Sequence, residues 1–343
     1  MAVKNYLDRL EIAYERFPAF EQQLLSYPQQ WGPENAYGWL FHIDPTAVKE
    51  KSETPSKDNK FTIGRWCFTR GEFVGPNSPY KFNFKVELID CPVGEIEDFG
   101  FIYYETYLLK RDKIYLRLDN RLLYSDYYWD RIKAFERDFG LSFVNISKAD
   151  IAIDSTIDTS KVIYELMRWH PEIDWVVNGR RITDRDKTID KLFWANSGSL
   201  NDPDANRSLY VKQAEGLTLN AYNKTIEIVD KSYKYYQTGD WVYGDEGLLD
   251  YVEDEYIFRN EIRLARKNII NYNEGHGLDD NLFREMMENA NGRFQVFVDL
   301  TRQMIRWNDG GKSHDISTLI SAEMPSLQQK SSNNLILNKL KYY

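Results

Sequence analysis

The sequence predicts an α+β fold, a central antiparallel β-sheet with flanking helices and a helical C-terminal part. Three observations carry this. Between Phe61 and Tyr124, hydrophobic residues recur with a period of two over consecutive stretches separated by Gly, Pro, Asn and Asp clusters. After Ser125, stretches with helical spacing alternate with further strands, and after Asn271 helical spacing dominates. A chain of 343 residues, 42% hydrophobic and 15% aromatic, is long enough to bury a full core and to hold two domains.

Taken in order, Tyr6, Leu10, Ala13 and Phe17 follow helical spacing with charges between them. This predicts a packing or docking helix within residues 3–27, interrupted at Pro18 and resumed by Phe20, Leu24 and Leu25. Residues 36–43 read as a strand, and the charged, turn-rich residues 44–60 as a loop. Strands are expected at 61–68, 80–88, 101–109 and 113–119. Their aromatics serve as sheet packing or as surfaces on which bases stack. Ser125 is the expected cap of a helix with the stripe Tyr128, Ile132, Phe135 and Phe139, ended by Gly140. A strand follows at 143–154, then a helix capped by Ser160 and carrying Val162, Ile163, Leu166 and Met167.

Residues 178–191 concentrate positive charge, including Arg180 and Arg181. As a surface loop they suit a phosphate backbone, or they form a solvated turn with acids and bases self-paired. Residues 201–207 read as another loop. Residues 208–216 lead through a glycine-containing turn into a strand at 217–224, which makes a hairpin. One more strand is expected at 256–264, and then helices with stripes at Leu282, Phe283, Met286 and Met287 and at Phe294, Phe297, Leu300, Met304 and Ile305. The tail is polar from Asn308. The expected organisation is an N-terminal helix and β-rich region (1–110), a core (111–270) and a helical C-terminal region with its tail (271–343).

The net charge of −9 counts against a protein that coats nucleic acid, though not against local basic surfaces. Cys67 and Cys91 are too few for a disulfide framework or a cysteine-only zinc site, so a reducing cytoplasm is expected. No apolar run is long enough to span a bilayer, and the first residues lack the apolar centre of a secretion signal.

Three strands each carry a polar face of reactive residue types. Asp150 and Asp154 share one, with Lys148 at its start; Tyr222 and Lys224 share the second; Arg259, Glu261 and Arg263 share the third. Aligned in one sheet, the carboxylates would converge beside a tyrosine. Hard oxygen ligands of this kind suit Mg²⁺ or Mn²⁺, which polarises a phosphate oxygen. A strand tyrosine next to a lysine suits attack on a phosphodiester, taking the 5′ end as a phosphotyrosine and releasing a 3′-hydroxyl. Each residue also has a plain structural reading: Tyr222 as one of 24 tyrosines, Asp154 as a turn former or helix cap, Glu261 as the ion-pair partner of its arginines.

These stretches resemble the replication initiation factor family, the trans-acting rolling-circle initiators of plasmids and some phages. Ile146-Ser-Lys-Ala-Asp150-Ile-Ala-Ile-Asp154 looks like the family's Thr-Arg-hydrophobic-Asp strand with a second Asp shortly after. Leu219-Asn-Ala-Tyr222-Asn-Lys224 looks like its Tyr-Asn-Lys strand, and Phe258-Arg-Asn-Glu261-Ile-Arg-Leu264 like its Arg-x-Glu strand. The resemblance covers residues 113 to 270. It implies an HUH-endonuclease-like core in which Tyr222 is the nicking nucleophile, assisted by Lys224. It also implies an origin DNA, single-stranded or hairpin, a bacterial host cytoplasm and possible homodimers. Asp150, Asp154 and Glu261 are the candidate metal ligands; Lys148, Arg180, Arg181, Arg259 and Arg263 are the candidate phosphate contacts. Lys148 stands where the family usually has Arg, which loses the fork geometry. The histidines, His42, His170, His276 and His314, are scattered, so the His-hydrophobic-His pair of HUH enzymes is missing. The Gly-x-x-x-x-Gly-Lys-Ser/Thr loop is missing too, so unwinding would fall to a host helicase and synthesis to a host polymerase. A non-catalytic DNA-binding repressor or accessory protein on the same scaffold is the main alternative, and a phage or plasmid structural protein the second.

Overall fold

The computed structural model describes residues 4–15, 60–70, 82–89, 96–104, 113–195, 207–232 and 256–321. Two compact units are present, residues 9–148 and residues 1–8 with 149–343, so the expected boundaries at 110 and 270 fall inside units. Two long strands, β1 (Lys4–Glu15) and β7 (Phe143–Ser155), each contribute a segment to both.

In the 9–148 unit the strand order is β7-β1-β6-β5-β4-β3-β2. The members are β2 (Lys60–Ile63), β3 (Trp66–Arg70), β4 (Phe82–Leu88), β5 (Glu97–Tyr104) and β6 (Lys113–Leu118), and their registers from β2 to β6 and on to β1 are antiparallel. A short helix α1 (Asn120–Leu123) and the longer α2 (Tyr128–Phe139) follow. Phe135 of α2 sits 4.9 Å from the ring of Trp66, and Trp66 lies 4.8 Å from Phe99. Phe139 packs 5.7 Å from Phe68. Trp66, Phe68, Phe99, Phe135 and Phe139 are therefore core, which assigns them to packing rather than to base stacking. Each such side chain contributes about 1.5–3 kcal/mol by burial.

Three expectations change here. The N-terminal stretch is a strand, not a helix, over residues 4–15. Tyr6, Leu7, Leu10, Glu11, Ile12, Ala13 and Tyr14 are all buried, so both faces are covered and the alternation that marks a one-sided strand is lost. The single strand expected at 61–68 is a hairpin of β2 and β3, turned at Gly64 with φ 58°. The Ser125 hydroxyl does not cap α2; it donates to the Leu122 carbonyl at 2.7 Å, while Tyr127 occupies the cap position. Gly140 ends α2 in the left-handed conformation, φ 61°. Cys67 is a buried free thiol. The strand expected at 36–43, most of the loop at 44–60, the continuation at 18–27 and residues 201–206 lie outside the described residues, as does the end of the tail.

In the other unit β7 is followed by α3 (Thr159–Trp169), β8 (Asp174–Val177), β9 (Arg180–Arg181), α4 (Arg185–Leu192), β10 (Phe193–Ala195), β11 (Arg207–Lys212), β12 (Thr218–Asn223), α5 (Lys224–Glu227) and β13 (Phe258–Ala265). Helices α6 (Arg266–His276), α7 (Asp280–Glu288) and α8 (Ala290–Met304) come next, then β14 (Ile305–Asp309), β15 (Lys312–Asp315) and α9 (Ile316–Ser321). The strand order is β10-β11-β12-β13-β7-β1, and a second sheet runs β15-β14-β8-β9 with Trp175 stacked 5.1 Å from Trp307. The fold is thus α+β with a large antiparallel sheet, as expected. Among the described residues no helix is long and apolar enough to cross a membrane.

The basic stretch at 178–191 is not a loop. It forms a turn between β8 and β9 and then α4. The Asp184 carboxylate accepts from the Lys187 amide at 3.1 Å and caps α4, and Ile189 and Leu192 are buried beneath it. High charge density masked a short capped helix. Likewise α3 is capped by Asp158, which accepts from the Lys161 amide at 2.9 Å, while Ser160 lies inside the helix.

Helices α7 and α8 approach so closely at Gly292 that an added Cβ would lie 2.4 Å from the Met286 carbonyl oxygen. Gly292→Ala should destabilise the protein by about 1–3 kcal/mol through overpacking. A lowered urea midpoint checks this; an unchanged midpoint would contradict the contact.

Candidate active site

Registers decide which side chains share a face. Leu209 pairs with Ala221 and Val211 with Leu219; Leu219 pairs with Ile262 and Ala221 with Asn260. This face is apolar and buried, and α3 packs against β11 and β12 upon it. Asn260, on the same face, donates to the Thr159 hydroxyl at the start of α3 at 3.2 Å. The opposite face carries Tyr210 opposite Asn220, Tyr222 opposite Arg259, Asn220 opposite Glu261 and Thr218 opposite Arg263. Asp150 and Asp154 of β7 join it through the ion pairs described next.

The Tyr222 hydroxyl donates to Glu261 Oε2 at 3.1 Å. Glu261 Oε1 accepts from Arg263 Nε at 2.5 Å, and the same nitrogen lies 3.9 Å from Asp150 Oδ2. The Glu261 side chain is 1% exposed and that of Arg263 55%, so the arginine covers the carboxylate from the solvent side. Burial first, and then the charge of Glu261, pushes the Tyr222 phenol well above its ordinary value, with Arg259 opposing. Burial acts to lower Arg263, but its hydrogen bond and charge interaction with Glu261 prevail and raise it.

Arg259 forms a fork-to-fork pair with Asp154, Nε to Oδ1 at 2.6 Å and Nη2 to Oδ2 at 2.7 Å, and both side chains are fully buried. Its remaining Nη1 donates to Asp8 of β1 at 3.0 Å. Lys224 leaves the strand as the first residue of α5 and is buried; its ammonium donates to Glu227 at 2.7 Å and lies 5.9 Å from the centre of the Tyr222 ring. Burial, then the charge of Arg259, lowers the Lys224 pKa.

The structure therefore brings together Tyr222, Glu261, Arg263 and Asp150. It separates Asp154 and Arg259 into a buried pair beside them, where Arg259 is closed to a solvent-borne phosphate. Lys148 belongs to the other unit, where it pairs with Glu11 at 3.2 Å. Arg180 and Arg181 lie exposed on β9 in the second sheet, Arg181 paired with Asp174 at 2.5 Å. Asp8 was missed because its stretch was read as a helix, and no sequence signal names the partner of a buried arginine. Trp194, which is 64% exposed, was missed because the three-residue strand that carries it is too short to show a period.

Among the described residues no group of three or more His, Cys, Asp or Glu is placed to hold a metal ion. Both Asp154 oxygens are engaged by Arg259. Glu261 is engaged too, by Tyr222 and Arg263, and Asp150 lies near the same Arg263 nitrogen, so a cation would have to displace Arg263 to reach this two-carboxylate pair; Mg²⁺ is commonly held by one or two carboxylates plus water and substrate phosphate. The pair fits part of such a shell.

No family model matches the chain, and no curated protein matches it. Among solved structures it is similar to the rolling circle replication initiator protein from Geobacillus stearothermophilus, at 14% identity and a TM-score of 0.39, over 91% of this chain and 89% of that one. At this distance the likeness assigns no function, and the functional reading rests on the site's own residues.

Arg259→Leu should cost about 3–5 kcal/mol, because it strips the two-bond arginine fork from a fully buried carboxylate. Arg259→Leu with Asp154→Leu should recover much of that loss, and neither change should depend on divalent metal. Denaturation of the single and double variants with EDTA and with Mg²⁺ checks this; stabilisation of wild type by Mg²⁺ that vanishes in Asp154→Leu would instead make Asp154 a ligand.

Proposed function

We propose that this protein initiates rolling-circle DNA replication by nicking one strand at an origin. The observation that carries the proposal is the hydrogen bond from the Tyr222 hydroxyl to Glu261 on the polar face of the sheet. A phenol with a raised pKa is not ionised at neutral pH and needs a proton acceptor. Glu261 is in place to take that proton as Oη attacks phosphorus. The Oη–P bond forms and the P–O3′ bond breaks. The 5′ end stays on Tyr222, and the departing 3′-oxygen takes a proton from water and becomes the primer. Arg263, more than half exposed, neutralises charge on the phosphate. Arg259 and Asp154 hold the strands in register, and Lys224 packs its cation near the phenol ring.

Asp150 and Glu261 would hold Mg²⁺ or Mn²⁺ once Arg263 turns to the incoming phosphate. A divalent ion there supplies charge stabilisation to the phosphate oxygens. The same proposal places the protein in a bacterial cytoplasm on a plasmid or phage origin, with a host helicase and polymerase, and as a homodimer on hairpin DNA. The pairing of Asp154 with Arg259 and of Glu261 with Arg263 favours one alternative, a non-catalytic DNA-binding protein, in which these carboxylates are structural.

Labelled single-stranded oligonucleotides mixed with the protein and Mn²⁺, then denatured in SDS, separate the two. A metal-dependent labelled adduct, absent from Tyr222→Phe, is expected; DNA binding without any adduct, on linear and hairpin substrates alike, would leave the non-catalytic reading. Glu261→Gln should slow adduct formation by roughly 10²–10⁴-fold at pH 7. Its rate should climb with pH as more Tyr222 ionises, more steeply than that of wild type. A flat profile in the variant would remove Glu261 as the base.

A further inference from the structure

We infer that the polar sheet face that carries Tyr222 continues into an open cleft that binds single-stranded DNA, with Trp194 and Tyr210 as stacking platforms. The inference deepens the proposed function and rests on it for the choice of DNA over RNA. The cleft itself stands on independent observations.

An open cleft of about 540 Å³ lies between β9, α4, β10 and β11. Trp194 and Tyr210 line it and are 64% and 37% exposed. Large aromatic side chains left this open on a folded sheet lack the burial that would explain them as packing. The lining cations are Arg180, Arg181, Lys187, Lys191 and Lys212 against a single acid, Asp184, in a protein whose net charge is −9. The Asp184 carboxylate is occupied in capping α4. Arg181 pairs with Asp174, but Arg180, Lys187, Lys191 and Lys212 have no acidic partner among the described residues.

The registers connect this cleft to the tyrosine. Trp194 pairs with Ser208, so Trp194, Ser208 and Tyr210 share one face of β10 and β11. Tyr210 pairs with Asn220, which shares its face with Tyr222. Continuing the β11–β12 register by one residue sets Ser208 opposite Tyr222. Trp194, Ser208, Tyr222 and Arg259 then form one row across four strands. Trp194 stands two strand spacings from Tyr222, roughly 10 Å. Unpaired bases present π faces to the two rings, and the lysines at the rim meet the phosphates. Duplex DNA has no free base face to offer, so the rings select single strands. Stacked bases at Trp194 and Tyr210 would direct the next phosphate toward Tyr222.

The test is the affinity of the full chain for labelled oligo-dT by fluorescence anisotropy, in EDTA so that cleavage does not enter. Trp194→Ala and Tyr210→Ala should each weaken binding by roughly five- to a hundredfold, with Trp194→Phe close to wild type. Duplex binding should be unaffected by these changes. Lys191→Gln with Lys212→Gln should flatten the slope of log affinity against log salt by about 1.4. If the alanine variants bind oligo-dT as well as wild type, if the wild type does not bind it, or if oligo-rU binds more tightly than oligo-dT, the inference is overturned. Intact, Trp194-dependent binding without any Tyr222 adduct would sink the nicking reading and leave the cleft standing.

Discussion

The pairing of Arg259 with Asp154 is the contact on which the site depends. It joins β13 to β7, and the third nitrogen of the guanidinium reaches Asp8 on β1. Burying a charge costs several kcal/mol unless geometry and hydrogen bonding compensate. Here the fork of the arginine meets both carboxylate oxygens, so any slip of the strands would break both bonds at once. A one-residue shift would also turn every side chain on the strand to the other face. The pair therefore holds Glu261 and Asp150 on the same side as Tyr222.

On that frame the polar face divides its labour. Glu261, shielded by Arg263, accepts the Tyr222 hydroxyl and is the group best placed to receive its proton. The arginine paired with Glu261 is more than half exposed, whereas the one paired with Asp154 is fully buried. Two arginines that look alike in the sequence thus stand in different surroundings, one buried and one exposed. Lys224 differs again: as the opening residue of a helix it is drawn inward to Glu227, and burial lowers its pKa.

Much of this was legible in the sequence where one face is buried and the other is not. The alternation in Leu217–Lys224 and Phe258–Leu264 located two strands and sorted Tyr222, Glu261 and Arg263 onto one side. Gly140 marked the end of α2 because only a left-handed residue fits there. Patterns failed for physical reasons elsewhere. Residues 4–15 are covered on both faces, so the apolar positions fell by chance at helical spacing. Residues 185–192 are so charged that the two buried positions of α4, Ile189 and Leu192, did not stand out. Pairings between distant charges, such as Arg259 with Asp154 and Asp8, depend on which strands become neighbours, and local sequence does not carry that.

The nucleophile is the claim to which the rest of the functional account answers. The most direct measurement digests the protein–DNA adduct with trypsin and nuclease and maps the nucleotide-bearing peptide by mass spectrometry. The account predicts a nucleotide phosphate on Tyr222. A nucleotide on Tyr210, or on any residue off this sheet face, would contradict it.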